Sequence, residues 1–476
     1  MNFRKYSNIT EVVIPLEAQL TKTDFSSIFT NMGELMLSKI PDIKITNMSQ
    51  AYRNCYKLTG SPVCGDNVTD MGYAYYNCQN LTGSPVCGNK VTNMAWTYEK
   101  CYNLTGSPVC GNSVINMWAT YVNCQKLTGN PACGPNVTNM CHTYVHCYNL
   151  NGNPVCGPNV TLMVNTYQNC INLTGNPVCG DKVTTMKSAY YNCSNLIGSP
   201  VCGNNVTNIS YTYFNCKKLT GSPVCGNKVT NMSYAYRGCY NITGNPVCSS
   251  KVTDMSFAYI YCYNLTGSPA CGPNVTNMCN TYYCAYNITG SPACGPNVID
   301  MSYTYTGCGN LTGSPVCGNK VTNMKGAYKD CSNIGNNAYL CSNNISDISY
   351  CFANKNNSKI LNIYVHNGST SLNTCLYNNT SSMVGANIAW TAGTNNYYNT
   401  AYNIYIYPVS DVIQACENNG DIISEGYYEE FDESILIDFE YTKNTNGTYT
   451  LTAWKGTLNG TPSTTMKFPD SNKIIM

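Results

Sequence analysis

Charge is what this chain lacks most. Only 11% of its 476 residues are charged, and the formal net charge is +2. Nothing basic enough to track a phosphate backbone is present, so no nucleic-acid partner is expected. No run of 18 or more apolar residues occurs, so no membrane insertion is expected either. The opening residues, MNFRKYSNITEVVIPLEAQL, contain no continuous apolar stretch of signal-peptide length. They predict a chain made in the cytosol without an ordinary export signal. Histidine occurs only three times. No G-x-S-x-G, Walker or dinucleotide fingerprint is found, so the expectation is no enzyme, no catalytic residue and no cofactor.

What is present is repetition. Leu58, Leu81, Leu104, Leu127, Leu150 and Leu173 stand 23 residues apart, and the register runs on to Ile334. The consensus is L-T-G-S-P-V-C-G-x-x-V-T-N-M-x-x-A-Y-x-x-C-x-x. A fixed period of this length marks a solenoid, in which each unit buries its apolar face only against its neighbours. Residues 35–365 are read as about fourteen coils, residues 1–34 as an N-terminal segment with a capping coil, and residues 366–476 as a small, mainly β domain. Phe25, Ile28, Phe29, Met32 and Leu35 fill the Met, Ala, Tyr, Cys and Leu places of the opening coil.

Within a unit, Met71, Ala74, Tyr75, Cys78 and Leu81 fall at i, i+3, i+4, i+7 and i+10. That spacing predicts a short helix. NKVTNM predicts a short strand, with Val91 and Met94 inside and Thr92 pairing above and below. TGSPVCG returns the chain through Gly83 and Pro85. The expected class is therefore α/β, with a short strand and a short helix in each coil. In the tail, ILNIYVH and NIYIY read as strands, the latter followed by a short helix. SILIDFEYTKNTNGTYTLTAWKG reads as a hairpin about Asn446-Gly447.

The chain has 31 cysteines. Two columns recur at the repeat period: Cys55, Cys78 and Cys101 onward, and Cys64, Cys87 and Cys110 onward. Stacked, parallel side chains are poorly oriented for bridging, so reduced core thiols are expected. The recurring N-L-T and N-V-T triplets read as core Leu or Val beside a Thr that supports a ladder. His142 and His146, with Cys141 and Cys147, have metal-ligand types, but no other repeat carries histidines there, and no metal is expected. Glu429, Glu430, Asp432 and Glu433 read as a solvated acidic loop.

Positions that differ between repeats should face solvent. After the first cysteine column come Tyr56, Tyr102, Tyr148, Tyr240, Tyr263 and Tyr286. The pair after Met includes Trp96 and Trp118. These eight are the candidate binding residues, because aromatic rings give large, rigid contact area and stack on sugar faces.

The pattern VTNM…AYYNC…L resembles bacterial surface leucine-rich repeats of the BspA type, with Tyr75 where that family usually has Phe. Its return segment differs: LTGSPVCG stands where the family has an apolar strand. The Cys-rich, Tyr-rich version is similar to repeats in virion fibre proteins of gut bacteriophages, especially crAss-like phages, and the C-terminal YTLTAWKGTLNGTPSTTMKFPDSNKIIM is similar to their ends. The resemblance implies a non-enzymatic virion fibre or spike, located in the virion and contacting a host cell-surface receptor or glycan. Its other partners would be further virion proteins and possible copies of itself. The alternatives are a bacterial cell-surface adhesin and, less well supported, a glycan-cleaving tailspike.

Overall fold

Every 23 residues the chain returns to the same place beside itself. The computed structural model describes residues 8–13, 23–39, 45–335, 337–340, 342 and 344–352. It also describes the backbone at 361–366, 402–407, 439–443, 448–454 and 465–467. Two compact units divide the chain at residues 243 and 244, and both are built from repeated coils. The fold is a repeat solenoid.

Its core is a set of parallel columns. Val68, Met71, Ala74, Tyr75, Cys78 and Leu81 of one coil are all buried, as are their equivalents throughout. The tyrosine rings stack face to face. In the first unit the ladder runs from Phe29 and Tyr52 to Tyr236, with centroids 5.1 Å to 5.7 Å apart. In the second it runs from Tyr259 to Phe352, at 5.4 Å to 5.8 Å.

The inward spacing expected of a helix is present, but the helix is not. Among the described residues no helix occurs, and Met71–Leu81 is a chain of four-residue turns. Ala74 N–H donates to Met71 O, Tyr76 to Tyr73, Cys78 to Tyr75 and Leu81 to Cys78. The alternate N–H groups of Met71, Tyr73, Tyr75 and Asn77 cross to Asn93, Ala95, Thr97 and Glu99 of the next coil. Tyr73 and Asn77 stand third in two of these turns, with φ of 57° and 61°, as in type II turns.

The physical reason is pitch. An α-helix with its side chains is about 10 Å wide, and coils whose rings stack near 5.5 Å leave no room for one helix per coil. A string of turns has the same inward spacing but is one chain thick. It also frees half its donors to bind the neighbour.

The expected strand also shrinks. Each coil contributes a single parallel bridge residue, Asp24, Asn47, Asp70 and so on to Asn231 in the first unit, and Asp254 to Asp347 in the second. Thr69, of the triplet Asn67-Val68-Thr69, donates both its N–H and its hydroxyl to Thr46 O. The Thr of the sequon-like triplets thus serves the ladder.

Most return segments form no strand, because Pro85 and its equivalents have no N–H to donate, and only backbone bonds such as Thr105 N–H to Gly83 O cross there. Tyrosine closes the gap. Tyr98 donates its hydroxyl to Val86 O at 2.8 Å and accepts Val86 N–H at 3.1 Å. The same two bonds join Tyr75 to Val63, Tyr190 to Val178 and, in the second unit, Tyr259 to Val247.

Every described cysteine is a free thiol. The first column lies in the core: Cys78 Sγ donates to Tyr52 O at 3.0 Å. The second is half-buried: Cys64 Sγ accepts Gly88 N–H at 3.3 Å. A Cβ on Gly88 would stand 2.9 Å from Gly65 O, so glycine is the easy choice there, although Ser249 takes the same position in another coil.

The ends are conventional strands. β1 (Glu11–Val13) pairs in parallel with β2 (Leu37–Lys39). Phe25, Phe29, Met32 and Leu35 are buried in the expected places, while Ile28 is only half-buried. In the second unit β3 (Val316–Cys317), β4 (Asn337–Leu340), β5 (Leu361–His366) and β6 (Tyr402–Tyr407) form one parallel sheet in that order. The parallel sheet therefore continues past residue 365. β7 (Phe439–Lys443) and β8 (Thr448–Trp454) pair antiparallel across the Asn446-Gly447 segment, and β9 (Thr465–Lys467) joins β8. The expected tail helix and the acidic loop at 429–433 lie outside the described residues.

Candidate binding surface on the turn strings

The turn strings place two residues per coil in the left-handed region. The two columns run through Tyr73, Trp96, Ala119, His142 and through Asn77, Lys100, Asn123, His146. Glycine or asparagine meets that demand most easily. Asparagine does so in much of the second column, and its amides form a side-chain ladder: Asn77 Nδ2 donates to Asn54 Oδ1 at 3.0 Å, and Asn192 Nδ2 to Asn169 Oδ1 at 2.9 Å. In the first column aromatic residues take the strained place at Tyr73 (57°), Trp96 (55°), Tyr211 and Tyr234 (both 58°).

Those aromatics collect in two clusters of the first unit. In one, Tyr73 stacks on Trp96 at 4.7 Å, Trp96 meets Trp118 at 4.3 Å, and Tyr76 lies 5.7 Å from Tyr73. In the other, Tyr211 stacks on Tyr234 at 4.4 Å and Tyr191 on Phe214 at 4.6 Å. Each cluster has an arginine over two rings. Arg53 lies 5.5 Å from both Tyr73 and Tyr76; Arg237 lies 5.3 Å from Phe214 and 5.7 Å from Tyr234.

Trp96 and Trp118 are thus brought together as part of the first cluster, with Trp118 exposed and Trp96 half-buried. The post-cysteine tyrosines are more scattered. Tyr263 and Tyr286 stack at 5.3 Å in the second unit. In the first unit Tyr56 is exposed, while Tyr102, Tyr148 and Tyr240 are half-buried and separated along their column by non-aromatic residues. Tyr148 bonds His146 at 3.0 Å, and Lys217 lies over Tyr240. Tyr73, Tyr76, Tyr191, Tyr211, Phe214, Tyr234 and both arginines were absent from the sequence-based candidates. A signal for them existed: only three arginines occur in the chain, and Arg53 and Arg237 occupy the same repeat position.

His142 and His146 belong to the two left-handed columns, and their Nδ1 atoms face Asn165 at 3.5 Å and Asn169 at 3.2 Å. Burial lowers the pKa of both. Among the described residues no three His, Cys, Asp or Glu side chains gather closely enough to hold a metal ion. Burial pushes the core thiols up, Cys55 to about 12, so they stay protonated and weakly nucleophilic at neutral pH. Elsewhere in the first unit a shallow open groove is lined by Thr128, Asn149, Asn151, Asn172, Thr174 and Asn195. It presents amides and hydroxyls, with Ile197 and Lys218 also in its lining.

The surface offers rings for stacking, amides for hydrogen bonds and cations, Arg53 and Arg237, set over the rings. Comparison with known proteins returned no matching family model and no matching curated protein.

Proposed function

We propose that this chain is a non-enzymatic virion fibre or spike component of a bacteriophage, and that its turn-string face binds a host cell-surface glycan. Kinship with BspA-type repeats and with crAss-like phage fibres is part of the same proposal, carried by the sequence pattern alone. One observation supports binding above all: bulky aromatics occupy left-handed positions where asparagine or glycine is easier, and they do so in clusters. Strain kept at one face of a repeat is a mark of use, since the core columns need none of those rings. Stacked rings flanked by amides suit a sugar, whose C–H face packs on an aromatic and whose hydroxyls take hydrogen bonds. Repeated weak sites give avidity once geometry lets them engage together.

The test has two arms. Mass spectrometry of purified virions should find the chain; finding it instead on bacterial cell envelopes without phage genes nearby would favour the adhesin reading. In the second arm Tyr73, Trp96, Tyr211 and Tyr234 are changed to Asn, which tolerates the backbone. The folded variant should lose attachment to host cells stepwise as more sites are changed. Attachment equal to the parent would sink the glycan-face reading.

A further inference from the structure

The two arginines say more about the ligand than the rings do. The chain has three arginines, and these two lie eight repeats apart at one repeat position. Each guanidinium rests on two rings of its own cluster. Among the described residues neither forms an ion pair. Arg53 donates once from Nη1, to Gln50 Oε1 at 3.1 Å, and its Nε is buried without a hydrogen-bond partner. A guanidinium held over rings can still give paired N–H groups to two oxygens of an acidic group, in Arg53 from Nη2 and the second N–H of Nη1, since Nε is buried.

The charges around Arg53 favour an anion. Near Arg53, Lys100 lies 5.3 Å over Tyr76 and donates to its hydroxyl at 3.2 Å. Glu99, a carboxylate near this cluster, is held by Lys100 at 3.7 Å. Around Tyr234 and Arg237 no ion pair is formed at all among the described residues.

We propose that Arg53 and Arg237 are the charge-reading residues of two equivalent subsites for an acidic saccharide. The carboxylate or sulfate of one sugar meets the arginine fork, while its ring packs on Tyr73 and Trp96, or on Tyr211 and Tyr234. Eight coils at about 4.8 Å each set the subsites roughly 40 Å apart, so one long acidic chain would reach both and gain avidity. The inference rests on the glycan-binding reading and narrows it to anionic polymers.

The full chain is assayed by calorimetry against polygalacturonate, dextran sulfate and neutral dextran. Polygalacturonate and dextran sulfate separate the carboxylate source from the sulfate source. The parent should bind at least one acidic polymer, more weakly as salt rises, and neutral dextran much less. Arg53→Gln and Arg237→Gln should each weaken that binding by about tenfold. Arg53→Lys and Arg237→Lys, which keep charge and volume, should restore little of it, because a lysine cannot make the paired contact. Hydrogen exchange of the flanking coils verifies folding, and the lysine variants serve if a glutamine variant unfolds. Two results would overturn the inference: an acidic polymer bound equally by parent and double variant, or no acidic polymer bound. If neutral sugars bind and only the aromatic variants lose them, the charge-reading role fails while the glycan face survives. If the aromatic variants keep host attachment, the broader reading fails instead.

Discussion

Two return segments of the second unit solve the same problem in different ways. In one, Pro246 precedes Val247, no strand forms, and the phenol of Tyr259 bonds both Val247 N–H and Val247 O. In the other, residues 337–340 have no proline, β4 pairs with β3 and β5, and the ring above is Phe352. Phe352 still stacks on Tyr328, at 5.8 Å. The ring is retained for packing, and the hydroxyl is lost beside β4, which is paired on both sides; at the edge strand β3, Tyr328 still bonds both Val316 N–H and Val316 O. Buried N–H and C=O groups are almost never left unpaired, so in the ordinary coil the phenol is a structural hydrogen-bond partner. The choice of tyrosine over phenylalanine in the core column is therefore a matter of backbone hydrogen bonding.

Alkaline pH gives the largest effect, because the buried thiols and phenols recur in coil after coil. Burial pushes Cys55, Cys110 and Cys179 up to about 12 and holds core phenols such as Tyr190 well above their usual range. Unfolded thiols ionise near pH 9, so the contribution is complete below that pH. It is lost as pH rises from 9 towards 12. Each such thiol costs about 1.4 kcal/mol per pH unit across the window. Summed over many coils, this predicts cooperative unfolding in that range, followed by circular dichroism. A reduced chain that stays folded at pH 12 would show that the columns are not buried as described.

Tyr190→Ala comes next. It opens a cavity between stacked rings and strands Val178, for a loss of roughly 3–5 kcal/mol. Tyr190→Phe isolates the second contribution: packing is kept, two buried backbone groups lose their partner, and about 2–3 kcal/mol should go. Hydrogen exchange should show both losses chiefly in neighbouring coils. A neutral Tyr190→Phe would break the comparison, since the hydroxyl would then be dispensable.

The mirror change, Phe352→Tyr, should also destabilise, by about 1–2 kcal/mol, because the strand has already paired the backbone and the new hydroxyl is buried without need. A gain in melting temperature would mean that residues 337–340 still want a phenol. The smallest effect concerns the surface. Trp96→Asn removes stacking on Tyr73 and relieves a left-handed tryptophan, and these opposing changes should leave stability within about 1 kcal/mol. A large loss would move Trp96 from the binding face into the structural frame.

The period, the core columns and the buried Val, Met, Tyr, Cys and Leu of each coil were legible from residue spacing alone. A repeat is its own alignment, and apolar positions that recur must face one another. The β5 and β6 strands and the antiparallel pair β7 and β8 were equally plain from alternation, while the Asn446-Gly447 turn lies outside the described residues. The turn string was not. Met71, Ala74, Tyr75 and Cys78 have the same spacing in a helix and in consecutive four-residue turns. Only the distance between stacked coils, too small for a helix, selects the second. The clusters around Arg53 and Arg237 were hidden for a related reason. Spacing tells which residues share a column, but which neighbouring columns bring their side chains together depends on left-handed turns that no local pattern of Tyr, Trp or Asn announces. The sequence by itself determined what lies inside. Tertiary packing decided how the backbone reaches its hydrogen-bond partners, and so which rings and cations meet on the outside.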